Sequence, residues 1–454
     1  MIRLKQVSFP DFGYTPRQES LSDNTMALRL RRTLEAMARD GLDVLAVYAD
    51  LEHGSNFEYL TGFLPRFEEA VLVLHADGRA YLLLGNENTK MVNYARLKAE
   101  LIHVPFFSLP DQPMDGQRDL VECFRLAGIE KGKKTGLVGW KRFTARGLDN
   151  ARLFDVPHYL TQALFAAAGE EYVVNAAGIF IHPGSGVRCV NNANEIAHYA
   201  YGSDLSGRAV FAAMEVLRPG IREVDLGQHL GLLGQRHSVV SIAAAGQRFE
   251  KANLYPSEKQ VAHGDKMSLT AGFRGGLTSR AGYALENGEN MDGYLRDLVY
   301  PYFSAVAAWL EGIAIGMTGG ELYDLVDQLL PKHTYRWSLN PGHLTAEEEW
   351  MCSPVYPGSQ DTLKSGMLLQ IDIIPSVPGY AGAGCESGVA LADDALRREL
   401  DREYPELWQV ITARQDYIRT CLGIRIPDWV LPLSDTVAYY PPFFLNREFV
   451  LAVE

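Results

Sequence analysis

Three short runs between Tyr335 and Glu386 constrain this chain more than any other part of its sequence. Asn340-Pro341-Gly342-His343 carries a histidine. Lys364-Ser365-Gly366-Met367-Leu368-Leu369-Gln370-Ile371-Asp372 ends an apolar stretch on an acid, and Gly384-Cys385-Glu386 supplies a second acid. All three segments read as strands, so one histidine and two carboxylates can converge in a single site. Imidazole titrates near neutral pH and carboxylates hold cations, which makes the trio a candidate catalytic centre: His343, Asp372 and Glu386.

A chain of 454 residues exceeds what one hydrophobic core usually organises and predicts two domains. The formal net charge of −13 argues against a nucleic-acid or anionic-membrane surface, which needs a basic excess. It leaves room for a small substrate that is cationic or zwitterionic, which is the partner expected. The five cysteines, Cys123, Cys189, Cys352, Cys385 and Cys421, are scattered without a CxxC pair, which predicts reduced thiols. The first residues lack the apolar core of a signal peptide, and no apolar run reaches membrane-spanning length. The expectation is a cytoplasmic, soluble protein.

Residues 1–24, interrupted by Pro10 and Pro16, read as an arm. Ser22-Asp23-Asn24 is a capping signal for a helix over Met26–Arg39. Strands are expected at residues 43–48, 70–74 and 80–84, the last two joined by an Asp77-Gly78 turn. Their alternation with helical stretches predicts an α/β domain over residues 25–185. A long helix opens at Asn191–Glu195 and stops near Leu217, before Pro219-Gly220. Another starts at Glu223. The Pro-rich, aromatic tail from Leu431 to Val450 is expected to form a last strand or to pack over a partner.

The run Asn56-Phe57-Glu58-Tyr59-Leu60-Thr61-Gly62-Phe63, followed by Glu69-Ala70-Val71-Leu72-Val73, resembles the N-terminal domain of creatinases and prolidases. The order and context of His343, Asp372 and Glu386 resemble the catalytic half of the creatinase/methionine aminopeptidase family, the pita-bread hydrolases. The resemblance implies an α/β (α+β) fold, with a curved antiparallel sheet and outer helices in a catalytic domain over residues 186–454. It also implies a homodimer in which the N-terminal domain completes the partner's site, with Arg66 and Phe67 as the substrate contacts.

In metal-dependent relatives two further acids, on a strand ending Asp-x-Gly and its hairpin partner, complete a five-ligand, two-metal centre. The equivalent positions here read as Thr270 and Arg280. Threonine is a poor ligand for a hard cation, and arginine keeps its positive charge. Arg280 is therefore expected to take the metal's electrostatic place, pairing with Asp372, Glu386 or an anionic group of the substrate. No metal and no other cofactor are expected. The family's substrate-binding histidine on the preceding loop is replaced near Asn253, and the one after His343 by Glu347-Glu348-Glu349-Trp350. Asn253, Glu349 and Trp350 then join Thr270 and Arg280 as candidate substrate contacts. His343 becomes the general acid or base.

These readings predict a metal-independent, creatinase-like hydrolase of a C–N bond (amide, amidine or guanidine) in a small polar metabolite. Two alternatives stand beside it: a metal-dependent Xaa-Pro aminopeptidase or dipeptidase with a reduced site, and a ligand-binding protein that has lost catalysis.

Overall fold

The computed structural model describes residues 1–12, 17–114 and 118–454, so Pro16 of the expected arm lies outside it. The chain divides into one unit of Leu21–Cys189 and another of Met1–Ser20 with Val190–Glu454.

The chain opens on a strand, β1 (Ile2–Gln6), where the sequence reading has an arm. It pairs antiparallel with the final strand, Phe449–Val453, from Ile2 opposite Val453 to Gln6 opposite Phe449. The correction has a plain cause: five residues too polar to signal a strand alone are held by a ladder from the far end of the chain.

In the Leu21–Cys189 unit, Ser22 caps the helix Asp23–Asp40 by accepting from the Thr25 amide, and Gly41 ends it in the left-handed conformation. Strands β2 (Val44–Ala49), β3 (Ala70–His75), β4 (Ala80–Leu84), β5 (Glu100–His103), β6 (Thr135–Val138) and β7 (Val173–Asn175) form one sheet in the order β5-β4-β3-β2-β6-β7. The central strands β2 and β3 are buried along their full length, which explains their unbroken apolar sequences. The Leu120–Leu126 and His158–Ala168 helices cover this sheet with Leu120, Phe124, Leu160 and Leu164.

The larger unit begins with the helix Ala193–Val216. Asn192 and Glu195 form a reciprocal capping box, each side chain accepting from the other's backbone amide. This helix packs on a sheet of strands β8 (Ile242–Ala245), β9 (Lys266–Phe273), β10 (Gly276–Tyr283) and, later in the chain, Gly384–Glu386. A second four-stranded sheet contains β11 (His343–Leu344) and β12 (Leu368–Gln370). Strand β13 (Gly384–Glu386) returns to the first sheet, and β14 (Gly388–Leu391) joins the second, followed by β15 (Val430–Pro432). The fifth residue of the Gly384–Gly388 run thus belongs to a different sheet from the first three, and Ser387 is the link between them. All pairings within the two sheets are antiparallel. The last strand, β16 (Phe449–Val453), closes the ladder with β1.

Candidate active site

The link at Ser387 brings the ends of β11, β12 and β13 to one place. His343 on β11 lies opposite Gln370 on β12, and Gln370 lies opposite Gly388 on β14. Asp372 follows Gln370 by two residues, and Glu386 ends β13. Gly342 gives His343 its position: its φ of 145° suits a residue without a Cβ, and an added Cβ would stand 3.3 Å from the Trp309 ring. Trp309 Nε1 holds that bend by donating to the Pro341 carbonyl at 2.8 Å.

His343 is fully buried. Its Nε2 lies 3.0 Å from a Glu349 oxygen and 4.0 Å from oxygens of both Asp372 and Glu386. Its Nδ1 lies 3.2 Å from the Leu344 carbonyl, the only hydrogen-bond acceptor at that nitrogen among the described residues. A ring that donates from Nδ1 turns the other nitrogen to the carboxylates, the arrangement that prepares a histidine for a cation. The Trp350 ring stacks on the imidazole at 4.1 Å with 19° between planes. The two predicted catalytic acids, Asp372 and Glu386, and one predicted substrate contact, Glu349, therefore surround His343, with Trp350 as the wall over it.

Burial alone would lower the His343 imidazole, but Glu349, Glu386 and Asp372 outweigh it and raise it well above the ordinary histidine range. Burial pushes the Asp372 carboxyl up, against the pull of His343. Burial also raises Glu386, and the Asp372 charge raises it further. Among the described residues, the cationic group within 4.0 Å of these acids is the His343 imidazole. Asp372 Oδ1 is buried without a hydrogen-bond partner among the described residues.

Thr270 lies on β9 opposite Ser279 on β10, and their hydroxyls are 2.7 Å apart. Ser279 in turn lies opposite Glu386. Arg280 departs from expectation. Its side chain leaves this face and is fully buried on the other. Nε donates to the Tyr439 carbonyl at 3.0 Å, and Nη1 donates to the carbonyls of Ser279 and Glu386, both at 2.7 Å. Nη2 donates to the Thr436 carbonyl and to Ser387 Oγ. The physical reason is strand alternation: adjacent residues point to opposite faces, so only one of Ser279 and Arg280 can face the acids. Ser279 was missed as a site residue. The Arg274-Gly275-Gly276 run was its signal, because a two-residue turn at 274–275 sets Thr270 against Ser279.

Asn253 lies exposed beyond the short Gln247–Glu250 helix, and among the described residues no hydrogen bond joins it to the cluster. Arg66 and Phe67 occupy a loop of the Leu21–Cys189 unit. Phe67 is 67% exposed, and the Arg66 guanidinium stacks 5.0 Å from its ring centre. Cys385 is buried, with burial raising its thiol, as suits a core residue.

The donor set fits one divalent cation. It offers one imidazole nitrogen and several carboxylate oxygens, and ligand atoms of His343, Glu349 and Glu386 all lie within 4.8 Å of one another. It does not fit the family's pair of ions, because hydroxyls stand where two carboxylates would be needed.

Residues 197–399 match Metallopeptidase family M24, and residues 29–110 match the Creatinase/Prolidase N-terminal domain. No curated protein sequence matches the chain. Solved structures share its fold. The Xaa-Pro dipeptidase from Bacillus anthracis is 16% identical, with a TM-score of 0.61, over 81% of this chain and 94% of that one. Dipeptidase PepE from Mycobacterium ulcerans is 17% identical, with a TM-score of 0.62, over 82% and 94%. The X-Pro aminopeptidase from Thermotoga maritima is 15% identical, with a TM-score of 0.61, over 80% and 95%. With its two matched domains in the order that the sequence motifs imply, this chain belongs to the creatinase/Xaa-Pro aminopeptidase (M24) family of hydrolases.

Proposed function

We propose that this chain hydrolyses a peptide C–N bond in a small peptide and works with one divalent cation held at His343 and Glu386. The convergence of carboxylates on His343 Nε2 carries the reading. In the metal-independent reading Arg280 was to face the site, pairing with the acids or with an anionic group of the substrate. With the guanidinium committed to carbonyls on the other face, the acids answer to a single imidazole among the described residues. Buried carboxylates require compensating charge, and a divalent cation provides it.

When bound, such a cation polarises a carbonyl group and makes water a stronger acid. The chain supplies the rest. Thr270 and Ser279 present a hydroxyl pair in which one proton is free to donate to a substrate oxygen. Trp350 closes one side and excludes water from the imidazole. The negative field suits the protonated amino end of a peptide. Among similar structures, those described as an Xaa-Pro dipeptidase and an X-Pro aminopeptidase support dipeptides with proline in second position as the first substrates to assay. A homodimer, with Arg66 and Phe67 touching substrate in a second copy, belongs to the same proposal.

A second reading keeps the metal-free mechanism, with His343 carrying protons. The Thr270–Ser279 hydroxyl pair, standing where the family has acids, favours it. The deciding experiment is elemental analysis of protein purified without chelator, paired with Xaa-Pro dipeptide cleavage before and after chelation. One ion per chain and chelator-sensitive cleavage support the proposal. An ion-free protein that cleaves a creatine-like amidine sinks it.

A further inference from the structure

Glu349 lies outside the family's ligand positions. It sits on the loop that follows β11, on neither sheet, yet its oxygen is the carboxylate nearest His343 Nε2, at 3.0 Å against 4.0 Å for Asp372 and Glu386. Nitrogen and oxygen ligands bound about 2.0–2.2 Å from one ion stand roughly 3–4 Å from each other, so these separations suit a shared ion. The loop is built to hold Glu349 there. Thr345 Oγ1 donates to the Glu348 carbonyl at 3.1 Å, and the Ala346 amide donates to the same carbonyl at 3.1 Å. The adjacent Trp350 lies flat on the imidazole, so residue 349 is fixed between two anchored neighbours. Independently, Asp372 beside it is buried, and its Oδ1 has no hydrogen-bond partner among the described residues.

We infer that Glu349 is a relocated cation ligand: the chain lost two carboxylates from the β9–β10 hairpin and gained one from the loop after β11. The ion is then held by His343 with Glu349 and Glu386, and Asp372 flanks them. Thr270 and Ser279 add no charge to this set, and their hydroxyls are left for substrate. The inference rests on the single-cation reading above.

The test is titration of the full chain, stripped of metal, with Mn²⁺ in a calorimeter, alongside Glu349→Gln, Glu386→Gln and Glu348→Gln. The last removes the same charge from the same loop. Near-UV circular dichroism checks that each variant is folded. The expected result is one equivalent bound by the wild type, at least tenfold weaker binding in Glu349→Gln, and wild-type affinity in Glu348→Gln. Wild-type affinity in Glu349→Gln, with binding lost in Glu386→Gln, overturns the relocation and leaves the single-cation reading standing. Equal weakening by Glu348→Gln also overturns it, since general charge and not coordination would be at work. No Mn²⁺ bound by the wild type removes both. Should Glu349→Gln not fold, Glu349→Asp, which keeps the charge and withdraws the oxygen by one bond, is expected to weaken Mn²⁺ binding severalfold, and unchanged affinity there overturns the inference.

Discussion

Ser279 lies directly opposite Glu386 in the ladder between β10 and β13, while its neighbour Arg280 lies opposite Cys385. This single step in register decides the electrostatics of the site. Had Arg280 stood in the place of Ser279, its guanidinium would have met the acids and neutralised them. Instead a hydroxyl faces them, and the guanidinium binds carbonyls of Tyr439, Thr436, Ser279 and Glu386 from behind.

Restoring carboxylates at the correct face should restore the second ion. Thr270→Asp combined with Ser279→Asp is expected to bind one more equivalent of Mn²⁺ than the wild type, because the two residues already touch across the hairpin. Thr270→Asp combined with Arg280→Asp is expected to bind none extra. Metal-to-protein ratios by elemental analysis decide between the two registers.

Arg280 is a structural cation. Replacing it with Met leaves buried carbonyls without donors, each costing about 1–3 kcal/mol, so a total loss of at least about 3 kcal/mol in unfolding free energy is expected. Urea denaturation measures it. A change within about 0.5 kcal/mol would place the guanidinium in solvent or in the site instead.

Gly342→Ala should disturb the site from outside it. The backbone there has φ of 145°, and the new methyl meets the Trp309 ring at 3.3 Å. A cost of about 1–3 kcal/mol is expected, with lower Mn²⁺ affinity because His343 follows directly. Thermal unfolding and calorimetry on the same preparation check both effects. A variant with wild-type values in both would show that the bend is not needed.

The Asp204–Arg414 pair gives stability a pH dependence away from the site. Asp204 is buried, and burial raises its carboxyl to about 6 despite the ion pair with Arg414. Its folded pKa exceeds its unfolded one, so between about pH 4 and pH 6 the folded state holds more protons than the unfolded chain. The contribution is fully present below pH 4 and is lost as pH rises through 6, about 3 kcal/mol over the window. Asp204→Asn cannot titrate. The difference in unfolding free energy between wild type and variant should therefore shift by that amount between pH 4 and pH 7, in favour of the variant at higher pH. A constant difference would show that Asp204 titrates normally.

Much of the frame was legible because its signals are local. The Asp77-Gly78 turn between two apolar runs, the Ser22 cap and the Asn192–Glu195 capping box each act over a few residues. Strand β1 was not legible, since its partner lies at the other end of the chain. His343, Asp372 and Glu386 stood out by their motif contexts, and they do converge. What Glu349 and Trp350 do against His343 was only guessed at, because loop geometry depends on contacts such as Thr345 with Glu348.

The sequence by itself determined which residues could carry charge near the site and that two of the family's acids are missing, since residue identity settles charge capacity. Only the tertiary structure decided which charges meet. A shift of one residue along a strand reverses the face a side chain takes, and no local preference distinguishes Ser279 inward from Arg280 inward. That choice is made by the hairpin turn, the β13 ladder and the carbonyls of the 436–439 segment together, and it keeps the guanidinium away from the acids around His343.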